Sequence, residues 1–373
     1  MNEVKLYQEK IILFTEEKPL ELESGELLAP VEVAFETYGS LNSTGSNAVL
    51  ICHALTGSAH AADLPEQNGN PVAIPGWWNG AIGKGKAFDP EKHFIISSNI
   101  LGSCYGTTGP GTVNPVTGQK YNLSFPQITV RDMVRVQKKL LDHLKVQQVL
   151  TVSGGSLGGM QVMEWAVMYP EIVKSIIPIA TASRHSAWGI GLNDAARLAI
   201  MHDPLWNQGN YEKQPLQGLA LARMIAMISY RSQSSFEKRF GRKPVDGIKK
   251  QISGLLRQSP VNYQVEQYLR YQGQKLVDRF DANTYIFLSR AMDLHDISAD
   301  RAPLEEILRN IKAKTLCIGI SSDILYPAEE QMEIAKAIPG ASYAEIKSIH
   351  GHDAFLIEYE QLNHIIRDFL SRI

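Results

Sequence analysis

Val149-Leu-Thr-Val-Ser-Gly-Gly-Ser-Leu-Gly-Gly-Met160 is the stretch on which the reading of the fold turns. An apolar, β-branched segment stops at two glycines, presents Ser156, and resumes as Met160-Gln-Val-Met-Glu-Trp-Ala-Val-Met-Tyr169, which reads as a helix. The pattern is strand, sharp turn and helix, with Gly-x-Ser-x-Gly at the bend. Glycines two before and two after the serine let strand and helix approach where a Cβ would collide. A serine held there takes a strained backbone conformation and stands above the carboxyl end of the sheet. The helix aims its N-terminal amides, and the positive end of its dipole, at the place where an oxyanion would form. A plain glycine-rich turn with a solvated serine has the same pentapeptide, so the rest of the chain must supply a base and an acid.

Upstream, residues up to about 40 alternate loosely between apolar and polar, as in Val31-Glu-Val-Ala-Phe-Glu-Thr-Tyr38, and read as antiparallel strands at the edge of a sheet. Ala48-Val-Leu-Ile-Cys52 is apolar throughout, as expected of a central strand covered on both faces. It ends in His53-Ala-Leu-Thr-Gly-Ser58. Such carboxyl-end loops are where ligands bind in open α/β sheets, which places His53 and His60 near a pocket. Another strand, His93-Phe-Ile-Ile-Ser97, precedes the glycine- and threonine-rich run 99–111. That run could cradle a phosphate through its backbone amides, but it lacks the Gly-Lys-Ser/Thr ending of a nucleotide-binding loop and reads rather as a turn near the site. Between Thr129 and Leu144, Met133, Val136, Leu140 and Leu144 fall on one helix face.

Downstream, Ser175-Ile-Ile-Pro-Ile-Ala180 adds a strand, and the alternation of strands and helices specifies an α/β fold with a mostly parallel sheet flanked by helices. From 185 to 310 continuous apolar strands stop. Helical patterns over Asp194–Met201, Gln217–Tyr230, Val261–Phe280 and Asn283–Leu294 replace them. We therefore expect a core of residues 1–184 and 311–373 carrying an inserted helical cap, residues 185–310, of the kind that excludes water from a site. The sheet resumes at Lys314–Ser321 and Ser342–Ile346, with helices at Ala328–Ile338 and Tyr359–Leu370.

A chain of 373 residues, 44% hydrophobic and 20% charged, buries ample core, and its formal net charge of −2 offers no broad attraction for nucleic acid or an anionic membrane. No stretch approaches the roughly 20 apolar residues of a membrane helix. The start, Met1-Asn-Glu-Val-Lys-Leu6, has no secretory pattern. Cys52, Cys104 and Cys317 are scattered and form no metal-type pair, so the expectation is a reduced, cytoplasmic protein without a metal.

Two later loops bring an acid and a base. Ser322-Asp323-Ile-Leu-Tyr-Pro327 and Ser348-Ile-His-Gly-His-Asp-Ala-Phe355 each follow a strand. Serine, then aspartate, then histidine is the chain order of the α/β-hydrolase arrangement. A serine hydroxyl is a weak nucleophile until an imidazole takes its proton. The carboxylate fixes the tautomer of that imidazole and stabilises its transient charge. Asp323 is equally well placed to form a capping turn, and the position admits either His350 or His352 as the base. Oxyanion donors are expected from the backbone amides of Leu157 and, in the first strand-end loop, Leu55.

Cys52–Ser58, Tyr105-Gly-Thr-Thr-Gly-Pro110, Phe125–Met133, Gly154-Gly-Ser-Leu-Gly-Gly-Met-Gln161 and Gly351-His-Asp-Ala-Phe-Leu356 resemble the homoserine O-acetyltransferases of the α/β-hydrolase type. The resemblance runs from about Tyr38 to the C-terminus, with Asn283-Thr-Tyr285 and Arg290-Ala-Met-Asp293 carrying it through the cap. It implies His352 as the base beside Ser156 and Asp323, acetyl-CoA as co-substrate with no bound cofactor, homoserine as acceptor, and a homodimer joined through cap helices. It also implies substrate contacts at Arg223 and Asp353, whose charges suit an amino acid's carboxylate and ammonium. From the residues alone, Arg223 reads as a solvated charge and Asp353 as a loop cap. Fold and triad serve several chemistries. An esterase or thioesterase using water, a non-catalytic scaffold, and a transferase with a succinyl donor or serine acceptor therefore stand as alternatives.

Overall fold

Eight strands form one sheet in the computed structural model, which describes residues 9–63, 75–245 and 261–373. The N-terminal segment Met1–Leu6 read above lies outside the described residues. In chain order the strands are β1 (Glu9–Phe14), a separate two-stranded hairpin of β2 (Leu20–Glu21) and β3 (Leu27–Leu28), β4 (Val31–Tyr38), β5 (Ala48–Cys52), β6 (Phe94–Ser98), β7 (Val149–Gly155), β8 (Ser175–Ile179), β9 (Lys314–Ile320) and β10 (Ser342–Ile346). The sheet order is β1-β4-β6-β5-β7-β8-β9-β10. Strand β4 runs antiparallel to both neighbours, and all pairings from β6 to β10 are parallel.

The continuous apolar runs behave as their composition demands: every residue of β5 and β8 is buried, because helices cover both faces. The antiparallel strands expected at the sheet edge are β1, the outermost, and β4. Glu36 of β4, a nominally solvent-facing position, is buried. That carboxylate is satisfied by the Tyr38 hydroxyl and by His60.

Helix α1 (Val130–His143) starts in a capping box made by Thr129 and Asp132, and its stripe of Met133, Val136 and Leu140 packs against α2 (Leu157–Met168) and the sheet. Among the described residues six helices lie in sequence between β8 and β9: α3 (Ala187–Met201), α4 (Leu216–Tyr230), α5 (Gln233–Arg239), α6 (Gln264–Val277), α7 (Ala282–Asp293) and α8 (Leu304–Arg309). Helix α3 begins a full two turns before the pattern at Asp194. Gly189 and Gly191 depress helix propensity there, but Ser186 caps the start by accepting from the Gly189 amide. The inserted segment is tied back to the core by charge. Glu164 on α2, almost fully buried, pairs with Arg131 at 3.1 Å and Arg301 at 2.8 Å, and Arg131 also donates to the carbonyls of Asp296 and Ala299. Helices α9 (Ala328–Ala337) and α10 (Tyr359–Leu370) finish the core, the latter burying Leu362, Ile366 and Phe369 on the opposite face of the sheet. Among the described residues no helix is long and apolar enough to cross a membrane.

Candidate active site

Ser156 occupies φ 58°, ψ −126° at the junction of β7 and α2, a backbone region that non-glycine residues rarely enter. Two hydrogen bonds hold it there: its amide donates to Ile179 O at 3.0 Å, and its carbonyl accepts from Thr181 Oγ1 at 2.9 Å. The flanking glycines are required by contact. A Cβ on Gly154 would stand 2.5 Å from the Cys52 carbonyl oxygen, and one on Gly158 would stand 2.1 Å from the same atom. Strand β5 and helix α2 therefore meet backbone to backbone. Gly158→Ala should lower the thermal midpoint by the equivalent of about 1–3 kcal/mol or more and cripple activity, because carbonyls cannot move aside as a flexible side chain does. An unchanged melting curve would show that the elbow has slack.

The residues expected as acid and base, Asp323 and His352, lie side by side. Asp323, just past β9, accepts from the Leu325 and Tyr326 amides on Oδ1 at 2.8 and 3.0 Å. Its Oδ2 lies 2.7 Å from His352 Nδ1. The capping turn and the acid position are thus one arrangement, with a different oxygen for each. Nδ1–H donates to the carboxylate, which leaves Nε2 as the basic nitrogen. Among the described residues no hydrogen bond occupies that atom. The imidazole is buried between Tyr230, Tyr326 and Phe355, with ring centroids 5.6, 5.3 and 5.7 Å away. Burial alone would depress its pKa, but the charge and hydrogen bond of Asp323, with the charge of Asp353, outweigh burial and raise it. His350 does not reach Asp323. It lines a cavity beside the α4–α5 turn.

Leu157 is the first residue of α2 and Leu55 lies in the loop after β5; neither amide donates a hydrogen bond among the described residues. Gln161 ties the two segments together, donating to the carbonyls of His53 at 3.2 Å and Leu157 at 3.1 Å. His53 and His60, placed near a pocket by position, act as struts. His53 accepts from the Ile100 amide on Nε2 at 3.1 Å, and burial pushes its pKa down to about 4. His60 is held between Glu36 and Asp63 at 3.0 and 2.8 Å. In the 99–111 run, Thr107 and Thr108 accept from the β4 amides of Ala34 and Glu32.

Arg223 on α4 lies over the Tyr230 ring at 5.5 Å, and Tyr230 in turn packs on His352. Among the described residues Arg223 has no carboxylate partner. Asp353 pairs through Oδ2 with Arg231 Nε at 3.1 Å. Arg231, Tyr326 and His185 escaped the sequence reading. Tyr326 is fully buried, with its hydroxyl 3.3 Å from His185 Nδ1 and its ring packed on that of His352. Its place three residues after Asp323 was the only available signal.

The sheet order, a serine at a strained strand-to-helix bend, and an Asp–His pair on two later strand ends define an enzyme of the α/β-hydrolase class, and residues 47–359 match the alpha/beta hydrolase fold family. The chain is 53% identical over 356 residues to a homoserine O-acetyltransferase of Nostoc punctiforme, spanning 94% of this chain and 93% of that one. It belongs to the homoserine O-acetyltransferase family. The crystal structure of homoserine O-acetyltransferase from Bacillus anthracis is similar at a TM-score of 0.87 and 31% identity, covering 98% of this chain and 97% of that one. Esterase E22 is similar at 0.86 and 31%, covering 97% and 100%. A transferase and an esterase are equally close in fold, so the fold does not choose the acceptor.

Proposed function

We propose that the protein transfers an acetyl group from acetyl-CoA to the hydroxyl of L-homoserine, a step toward methionine, through an acyl-serine. His352 Nε2 takes the Ser156 proton as Oγ attacks the thioester carbonyl, and the amides of Leu55 and Leu157 hold the oxyanion. The thiol of CoA leaves with that proton. Homoserine then enters, His352 takes the proton of its hydroxyl, and the oxygen attacks the acyl-serine. Collapse returns the proton to Ser156. Arg223 receives the acceptor's carboxylate, and Asp353, steered by Arg231, its ammonium.

The observation that carries this reading is the guanidinium of Arg223, which has no carboxylate partner among the described residues and lies over the same tyrosine ring that packs against His352. Water needs no such partner, whereas an amino-acid acceptor does. An acceptor held in line competes with bulk water because effective molarities reach about 10⁵ M or more. Thiol release from acetyl-, propionyl- and succinyl-CoA, each against homoserine, serine and water, tests it. Release that depends on homoserine, parallel initial-rate lines and an acetyl adduct on Ser156 are expected. Release indifferent to homoserine would make the protein a thioesterase, and intersecting lines without acyl-serine on rapid quench would exclude the two-step route.

We also propose a cytoplasmic homodimer joined by cap helices, with no bound cofactor. Leu221 and Ile228, one heptad apart on α4, are 47% and 54% exposed, an apolar face that a second copy would cover. The free thiols of Cys52, Cys104 and Cys317 suit a reducing compartment. Mass in solution by light scattering tests the dimer.

A further inference from the structure

His350, the histidine that the triad leaves aside, lies in the wall of a cavity of about 730 Å³ between the carboxyl ends of β9 and β10 and the α4–α5 turn. Its charge is lopsided. Arg231, Lys238, Arg239 and Lys347 face it, against the single carboxylate of Glu358. That carboxylate already accepts from Ser348 Oγ at 2.7 Å. Lys347 is paired with Glu345 and Arg231 with Asp353, but Lys238 and Arg239 have no carboxylate partner among the described residues. Arg239 lies over the Phe240 and Tyr268 rings, 5.0 and 4.7 Å from their centroids, a contact that holds a guanidinium without neutralising it. His350 Nδ1 is buried with no hydrogen-bond partner, and the side chains of Ser235 and Ser321 also line the wall.

The cavity is attached to the catalytic loop. Ser232, the N-cap of α5, donates its hydroxyl to the Ile349 carbonyl, and a Cβ on Gly351 would stand 2.7 Å from the Ser232 amide nitrogen. Arg231 faces the cavity while its Nε holds Asp353 beside the base. A concave surface with two uncommitted cations and a bordering imidazole nitrogen that lacks a partner is suited to a polyanion bearing phosphate esters. On a chain whose net charge is −2, that concentration of cations is local.

We propose that this cavity binds the phosphate-bearing nucleotide end of the acyl-CoA donor, with the uncharged pantetheine arm leading from it to Ser156. The proposal rests on the reading of acetyl-CoA as donor. The test uses Lys238→Ala/Arg239→Ala, two exposed positions of α5 outside the catalytic machinery. Losing two exposed charge contacts should raise the KM for acetyl-CoA about tenfold at an unchanged kcat. The kcat/KM for S-acetyl-pantetheine, which lacks the phosphates, should not move. In the unsubstituted protein the acetyl-CoA KM should rise with ionic strength and that of S-acetyl-pantetheine should not. Lys238→Arg should retain the affinity.

Equal losses on both donors, or an unchanged KM for acetyl-CoA, would overturn the proposal. Calorimetry with adenosine 3′,5′-bisphosphate separates this from the identity of the donor. Were acetyl-CoA not a substrate at all, the donor reading would fail. Bisphosphate binding that weakens about tenfold in the double variant would still support the anion site, and no binding to the unsubstituted protein would overturn it. Inorganic phosphate competing as well as the bisphosphate would overturn the nucleotide assignment.

Discussion

Alanine at Ser156 is expected to lower kcat by about 10⁴–10⁶-fold, because removing the nucleophile of such a unit leaves only what oxyanion stabilisation and binding supply. The fold should survive the change. Serine and alanine both carry a Cβ, so the strained φ of 58° costs the two residues much the same, and the backbone hydrogen bonds to Ile179 and from Thr181 remain. Thermal midpoint, kcat and the mass of the protein after mixing with acetyl-CoA should be read on one preparation. A midpoint within a degree or two of the parent, with the acetyl adduct gone, is the expected set. An adduct that persists on another residue would remove Ser156 from the chemistry, whatever the elbow looks like.

The elbow and the sheet were legible because their causes are local. Strand β5 is apolar at every position because both faces are covered, and Gly154 and Gly158 are glycines because the Cys52 carbonyl stands where a Cβ would go. The start of α3 was not legible, since Gly189 and Gly191 erase the helical signal that Ser186 restores from outside the pattern. The choice between His350 and His352 is equal in sequence and is decided by tertiary register. Gly351, at φ +67°, turns the chain between them, so one ring meets Asp323 and the other lines a basic cavity. Tyr326, His185 and Arg231 stayed hidden for a related reason. Their partners, His352, Tyr326 and Asp353, are set by which loops meet above the sheet, and no spacing records that.

Asp323→Asn tests the pair rather than the nucleophile, and its expected effect is about 10⁴-fold in kcat with little change in geometry. An asparagine can still accept from the Leu325 and Tyr326 amides through its oxygen, as Asp323 Oδ1 does. Its NH₂ then points at His352 Nδ1 and donates to it, which moves the ring proton to Nε2 and leaves no base facing the serine. The pH dependence sharpens the test. Burial favours neutral His352, yet the charge and hydrogen bond of Asp323, with Asp353, hold its pKa above the ordinary 6.5. Activity needs the neutral ring, so kcat/KM should fall as pH drops through a limb above 6.5, and in the variant that limb should move down as burial acts with less opposition. Stability runs the other way. A group whose folded pKa is raised stabilises the fold fully below its unfolded value, and that contribution is lost as pH rises through the folded one. The parent should therefore gain stability on mild acidification where it loses activity, and the asparagine variant should lose most of that gain. A limb at the same pH in both proteins would mean that a group other than His352 controls the proton.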